Sequence, residues 1–133
     1  MYKKTITYED FNGLSRTEDF YFNLTQRELA KLEVITDGGY AGMLTRIANA
    51  KDIEAIDSTM ETLINMSYGV KDNDGRNFIK NEKVLADFVS TQAYSDFYWE
   101  LTHNEDEALK FVNGIMPKEM AKDKNSGPLV PAA

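Results

Sequence analysis

The sequence has no cysteine, one histidine, one tryptophan and three prolines in 133 residues. Without cysteine there is no disulfide framework, no thiolate zinc or iron–sulfur site and no thiol nucleophile. A single histidine leaves little for imidazole catalysis or zinc ligation. Basic residues are also scarce. Lys+Arg number 15 against 22 Asp+Glu, for a net charge of −7. That sign is opposite to the basic stripe that neutralises phosphates, so no nucleic-acid partner is expected. No run approaches the roughly 18 apolar residues of a membrane span. Lys3 and Lys4 have no apolar stretch behind them, so no secretory leader is expected. These absences together describe a soluble cytoplasmic protein.

What is present is core material. Apolar residues make up 42%, with seven Tyr and seven Phe, too many for a disordered chain. The length suits one domain, which the pattern places at 1–117. After Pro117 the aromatics stop, and 118–133 reads as a flexible tail.

Residues 1–24 read as a β-hairpin turning at Phe11-Asn12-Gly13-Leu14. A two-residue turn at Asn12-Gly13 would set Ile6 and Tyr8 on the opposite face from Phe20 and Phe22. Shifting the pairing by one residue gathers Tyr2, Ile6, Tyr8, Phe20, Phe22 and Leu24 on one face. Burial selects the shifted register, which requires a three- or five-residue loop with a bulge near Gly13.

The remainder is helical. Thr25 and Glu28 spell a capping box, with Leu24 and Leu29 as its staple, and this helix runs to about Ile35. Asp37-Gly38-Gly39 breaks it. Tyr40, Met43, Leu44, Ile47 and Ala48 mark a second helix. A third starts near Asp52, shows Ile53, Ile56, Met60, Leu63 and Ile64 on one face, and stops at Gly69. Residues 70–81 read as a polar connection. Asn81 caps a short helix with Val84, Leu85 and Phe88. Ser90 or Thr91 opens the next, with Tyr94, Phe97, Tyr98 and Leu101. Asn104 opens the last, with Ala108, Phe111, Val112 and Ile115, and Pro117 ends it. The expected fold is mainly α, an N-terminal hairpin packed on a compact bundle of five or six short helices.

Catalytic or ligand-binding constellations are not apparent. Asp72-Asn73-Asp74-Gly75 resembles part of a calcium loop, but Val70 and Asn81 stand where an Asp and a bidentate Glu are needed. A plain turn is expected instead. His103 falls at a helix C-terminus, where it caps carbonyls and meets the dipole. Gly38-Gly39 precedes a helix without the Lys-Ser/Thr of a phosphate loop. No enzyme activity, metal or cofactor is therefore expected.

Two features point outward. Between Lys83 and Lys110 there is no Lys or Arg, while Asp87, Asp96, Glu100, Glu105, Asp106 and Glu107 fall there. Such a stretch is either a solvated face or a guide for a basic partner. Trp99 lies about 140° around its helix from Tyr94, off the 94/97/98/101 stripe. It packs either on the hairpin or on another protein chain, and Trp is enriched at interface hot spots. The candidate contact set is Trp99 as anchor, with Asp96, Glu100 and Glu107 as rim.

Three stretches resemble a known family. They are Lys3-Lys4-Thr5-Ile6-Thr7-Tyr8 with Thr17-Glu18-Asp19-Phe20-Tyr21-Phe22-Asn23-Leu24; Ser67-Tyr68-Gly69-Val70-Lys71 with Asp74-Gly75-Arg76-Asn77-Phe78-Ile79-Lys80; and Ala93-Tyr94-Ser95-Asp96 through Phe111-Val112-Asn113-Gly114-Ile115-Met116-Pro117. Together they look like the tail assembly chaperones of long-tailed bacteriophages infecting Gram-positive hosts. The resemblance implies a non-enzymatic protein of the host cytoplasm, absent from the finished virion. It implies binding to the tape-measure protein, help in recruiting tail-tube protein, and a longer form made by frameshifting. The family supplies no catalytic residue or binding motif to transfer. A long amphipathic helical client would need many copies of a 133-residue protein, so self-association in multiple copies is compatible with this reading. A rival from another class is an acidic phage- or mobile-element-encoded protein that inhibits a host DNA-binding protein.

Overall fold

A computed structural model describes residues 1–36, 38–48 and 53–117, the side chains of 53–55 excepted. The expected tail at 118–133 and the helix start at Asp52 lie outside the described residues.

Strand β1 (Tyr2–Glu9) pairs antiparallel with β2 (Ser15–Phe22). Tyr2 stands opposite Phe22, Ile6 opposite Glu18 and Glu9 opposite Ser15. This is the shifted register. The Asp10 N–H donates to the Leu14 carbonyl at 2.8 Å and Gly13 N–H to the Asp10 carbonyl at 3.0 Å. Phe11, Asn12 and Gly13 thus form a three-residue loop, and Gly13, at φ +80°, carries the bulge. The Asp10 carboxylate accepts the Asn12 and Leu14 N–H groups and Arg16 Nε. Arg16 first, then these backbone donors, hold its pKa below the usual carboxylate range. Ile6, Tyr8, Phe20 and Phe22 are buried on one face.

The helices are α1 (Gln26–Ile35), α2 (Gly39–Ala48), α3 (Ile53–Ser67), α4 (Glu82–Val89), α5 (Gln92–His103) and α6 (Glu105–Ile115). Caps follow the sequence, and so do the stripes, except that Ala48 is exposed and the Ile53 side chain lies outside the described residues. Thr25 and Glu28 complete the capping box of α1. Asn81, Thr91 and Asn104 accept from the N–H groups of Val84, Tyr94 and Glu107. Gly38, between α1 and α2, and Gly39, the first residue of α2, take φ of +76° and +65°.

The stop at Gly69 and the polar connection at 70–81 are corrected. The chain leaves α3 directly into β3 (Tyr68–Lys71), turns, and returns as β4 (Phe78–Ile79). β3 pairs antiparallel with β2 through Tyr21–Gly69 and Phe22–Tyr68, so the hairpin belongs to a four-stranded sheet ordered β1-β2-β3-β4. Gly69 is needed for a close approach rather than a stop. A Cβ there would lie 2.6 Å from the Phe78 ring.

Phe22 joins the layers. Its ring lies 5.1 Å from Phe97, 5.4 Å from Phe111, 5.7 Å from Tyr68 and 5.9 Å from Phe88 between centroids. One side chain of β2 thereby touches β3, α4, α5 and α6. The chain beyond it is pinned by backbone bonds of 2.8 Å, Asn23 N–H to the Ser67 carbonyl and Leu24 N–H to the Ile115 carbonyl.

Candidate partner-binding site

The outward face of α5 is set by what its inward face needs. Ala93, Phe97 and Leu101 are buried, and Tyr94 and Tyr98 are half-buried against the core. Trp99 falls between these rows and is 66% exposed. Most of its surface is left uncovered by its own fold. The indole is not loose. It stacks on His103, with ring centroids 3.8 Å apart and planes 16° apart. His103 Nδ1 lies 2.9 Å from the Trp99 carbonyl. The Thr102 hydroxyl lies 3.0 Å from the same nitrogen, and with its hydrogen on Nδ1 the ring donates to the Trp99 carbonyl. His103 caps the helix end, as its position predicts, and also splints the tryptophan.

The acidic rim divides. Asp96 is exposed and accepts from Gln92 Nε2 at 3.1 Å. Glu100 and Glu107 are shared with the sheet, at 2.7 Å and 4.0 Å from Lys4 Nζ. Burial alone would lower the Lys4 pKa, but the Glu100 hydrogen bond and nearby charges more than offset it and the net shift is upward. Glu107 also lies 3.5 Å from Lys110. The structure therefore brings Glu100 and Glu107 together at β1 and leaves Asp96 and Trp99 open on the helix.

The other sequence candidates serve the fold. The Asp72 carboxylate accepts the backbone and side-chain N–H groups of Asn77, and Asp74 accepts the Arg76 N–H. Both carboxylates hold the β3–β4 turn, where Gly75 has φ +76°. At the start of α2, the Tyr40 N–H is taken by Glu33 Oε2 at 2.8 Å. A carboxylate of the chain itself occupies the position where an anion would bind.

Sequence reasoning missed other exposed apolar groups. Phe11 and Leu14 at the hairpin tip are 80% and 63% exposed, and Val34 and Ile35 ending α1 are 85% and 57% exposed. The signal was present in both cases. Phe11 and Leu14 flank the turn, beyond either sheet face, and Val34 falls outside the Leu29/Leu32 row. Beside Ile35 a cavity of about 330 Å³ is lined by Leu32, Thr36, Met43 and Thr62. Lys80 was also overlooked. Its ammonium donates to the carbonyls of Asn23 and Met66 and to both oxygens of Glu28, at 2.6–2.8 Å.

The outward groups of this geometry suit protein contact. A family model described as phage tail assembly chaperone matches residues 1–128. The chain belongs to the phage tail assembly chaperone family. No curated protein and no solved structure matches it. As a tail assembly chaperone, the chain has protein partners in tail assembly. The match covers every strand and helix from β1 to α6, so the Trp99 face and the hairpin both lie within the family's span. Among the described residues, no helix of this chaperone is long and apolar enough to cross a membrane.

Proposed function

We propose that this tail assembly chaperone binds the tape-measure protein through the outer face of α5, keeps it soluble, and helps recruit tail-tube protein in the host cytoplasm, without catalysis and without entering the virion. Trp99 is the anchor, and Asp96, Glu100 and Glu107 form the rim. The observation that carries this reading is the exposure of Trp99 on a helix whose other large aromatics are inward, with its ring already held by His103. An anchor immobilised before binding loses less conformational entropy on docking. The acids favour a client helix whose apolar stripe is flanked by Lys or Arg. Asp96 is open to such a charge, whereas Glu100 and Glu107 would share it with Lys4.

The test is capture of purified tape-measure segments by the wild type and Trp99→Ala, with thermal melts of both. Trp99→Ala should weaken capture about 30-fold, on the order of 2 kcal/mol, without lowering the melting temperature. Asp96→Lys should weaken it mainly at low salt. Undiminished capture by Trp99→Ala would remove this face from the site. No capture by the wild type would remove the tape measure as client.

A further inference from the structure

We infer that two copies of this chain pair edge to edge through β1, antiparallel about a twofold axis at Ile6, so that Lys3 of each faces Glu9 of the other. The hydrogen-bond phase of the hairpin shows which groups are free. Asp10 directs both its N–H and its carbonyl at the β2 side of the turn. Ladder bonds alternate along an antiparallel pair, so the even-numbered residues of β1 also bond β2. The odd-numbered residues Lys3, Thr5, Thr7 and Glu9 then point their N–H and C=O groups away from it. The same phase continues past β2, where odd-numbered Asn23 donates across to Ser67. Among the described residues, no backbone or side-chain hydrogen bond reaches this outer edge.

An eight-residue edge strand left unpaired among the described residues is a template for another strand, and proteins usually blunt one with proline, a bulge, an inward charge or a cover. β1 contains no proline, and its register is regular over all eight residues. Its inward charge, Lys4, is answered within the chain by Glu100 and Glu107. The opposite sheet edge, β4, has only two residues. β1 is therefore the edge long enough to pair.

Side-chain chemistry selects a second copy as occupant and sets the register. Only odd-numbered residues present edge bonds, so an odd residue must face an odd residue. With Ile6 on the axis, Lys3 faces Glu9, Thr5 faces Thr7, and the remaining two pairs repeat by symmetry. The new ladder holds about eight backbone bonds and two opposite-charge pairs. Moving the axis to Thr5 sets Lys3 against Thr7, and moving it to Thr7 sets Glu9 against Thr5. Either shift discards the charge pairs and shortens the ladder. Thr–Thr facing already occurs within the hairpin, where the Thr7 and Thr17 hydroxyls are 2.9 Å apart. Lys3 and Glu9 stand at opposite ends of the strand, so the edge is complementary to itself when reversed.

The full-length chain should sediment as a concentration-dependent dimer. Lys3→Glu sets like charges across both symmetric pairs and should raise the dimer dissociation constant roughly tenfold or more. Glu9→Lys should do the same. The double variant Lys3→Glu, Glu9→Lys should restore association, because it exchanges the charges and keeps the register. Thr5→Pro, with the ring on the open edge where proline is tolerated, should give a monomer with the wild-type circular dichroism spectrum. A wild type that is monomeric at hundreds of micromolar overturns the inference. So does an oligomer indifferent to the single reversals, or a double variant that stays dissociated. The outcome is independent of tape-measure capture, which tests α5.

Discussion

Lys80, the residue that follows β4, faces Glu28 of α1, with the ammonium 2.8 Å from both carboxylate oxygens. The same ammonium takes the Asn23 and Met66 carbonyls, so one side chain ties together the exit of β2, the first turn of α1 and the end of α3. Glu28 also closes the capping box with Thr25. Burial opposes ionised Glu28, but Lys80 and the Thr25 N–H outweigh it and the pKa is lowered. At Lys80 burial outweighs Glu28 and the shift is also downward. Each side-chain contact of Glu28 is a donor to its carboxylate, which favours the ionised acid.

A carboxyl lowered on folding adds stability above its unfolded pKa, near 4.3, and loses it as pH falls through the folded value. Glu28→Gln should cost about 1–3 kcal/mol at pH 7. It should also flatten the fall in stability below about pH 4.5. Urea unfolding at pH 7 and at pH 3–4 checks this. An unchanged acid slope would show that Glu28 is not the group responsible.

Gly69 and Phe78 meet across the β3–β4 hairpin with no room for a methyl group. Gly69→Ala should destabilise by about 1–3 kcal/mol. In a double-mutant cycle, Phe78→Ala should recover part of that loss, because it empties the space the new methyl needs. Additive costs would mean that the strand backbone, rather than the Phe78 ring, yields to the substitution.

Legibility in the sequence tracked the range of the interaction. The hairpin register could be read because a one-residue slip exposes Phe20 and Phe22, and the five hydrophilic cap residues Thr25, Glu28, Asn81, Thr91 and Asn104 act within three positions of themselves. β3 and β4 could not. They contain four and two residues, and β3 exists through pairing with β2 48 positions away, Tyr21 with Gly69. Gly69 carries a helix-stop signal locally, and the Phe78 ring that requires it is visible only in three dimensions. The site divides in the same way. Trp99 could be placed off the core stripe of its helix from its helical angle alone, which left the hairpin and another chain both open as its contact. The link of Glu100 and Glu107 to Lys4 joins the ends of the chain and has no local signature.

Gly13 fixes that register through its positive φ of +80°. A side chain in this region costs about 1–2 kcal/mol, and open space around the site removes any steric alternative, the nearest atom being Glu9 Oε1 at 3.7 Å. Gly13→Ala should lower stability by that amount, while Gly13→Asn should lower it less, since Asn tolerates the left-handed region. Equal losses in thermal melts of the two variants would indicate that the loop changes type instead of straining.

Trp99 and Phe97 stand two positions apart on α5 and should respond oppositely to truncation. Phe97 is buried against Phe22 and Phe111, with centroids 5.1 and 5.4 Å away. Phe97→Ala opens a cavity where three layers meet and should cost about 3–5 kcal/mol. Trp99 touches the fold chiefly through its stack on His103, and surface changes of this kind usually stay within about 0.5 kcal/mol. Lys4→Ala forms the intermediate case. It removes the partner of Glu100, whose side chain is 39% exposed, so solvent screening limits the loss to about 1 kcal/mol. Denaturant midpoints should therefore rank Phe97→Ala far below Lys4→Ala, and Lys4→Ala below Trp99→Ala. If Trp99→Ala instead falls near Phe97→Ala, the indole supports the fold, and the partner face must be sought at Phe11 and Leu14 or at Val34 and Ile35, the most exposed of the other large apolar groups among the described residues.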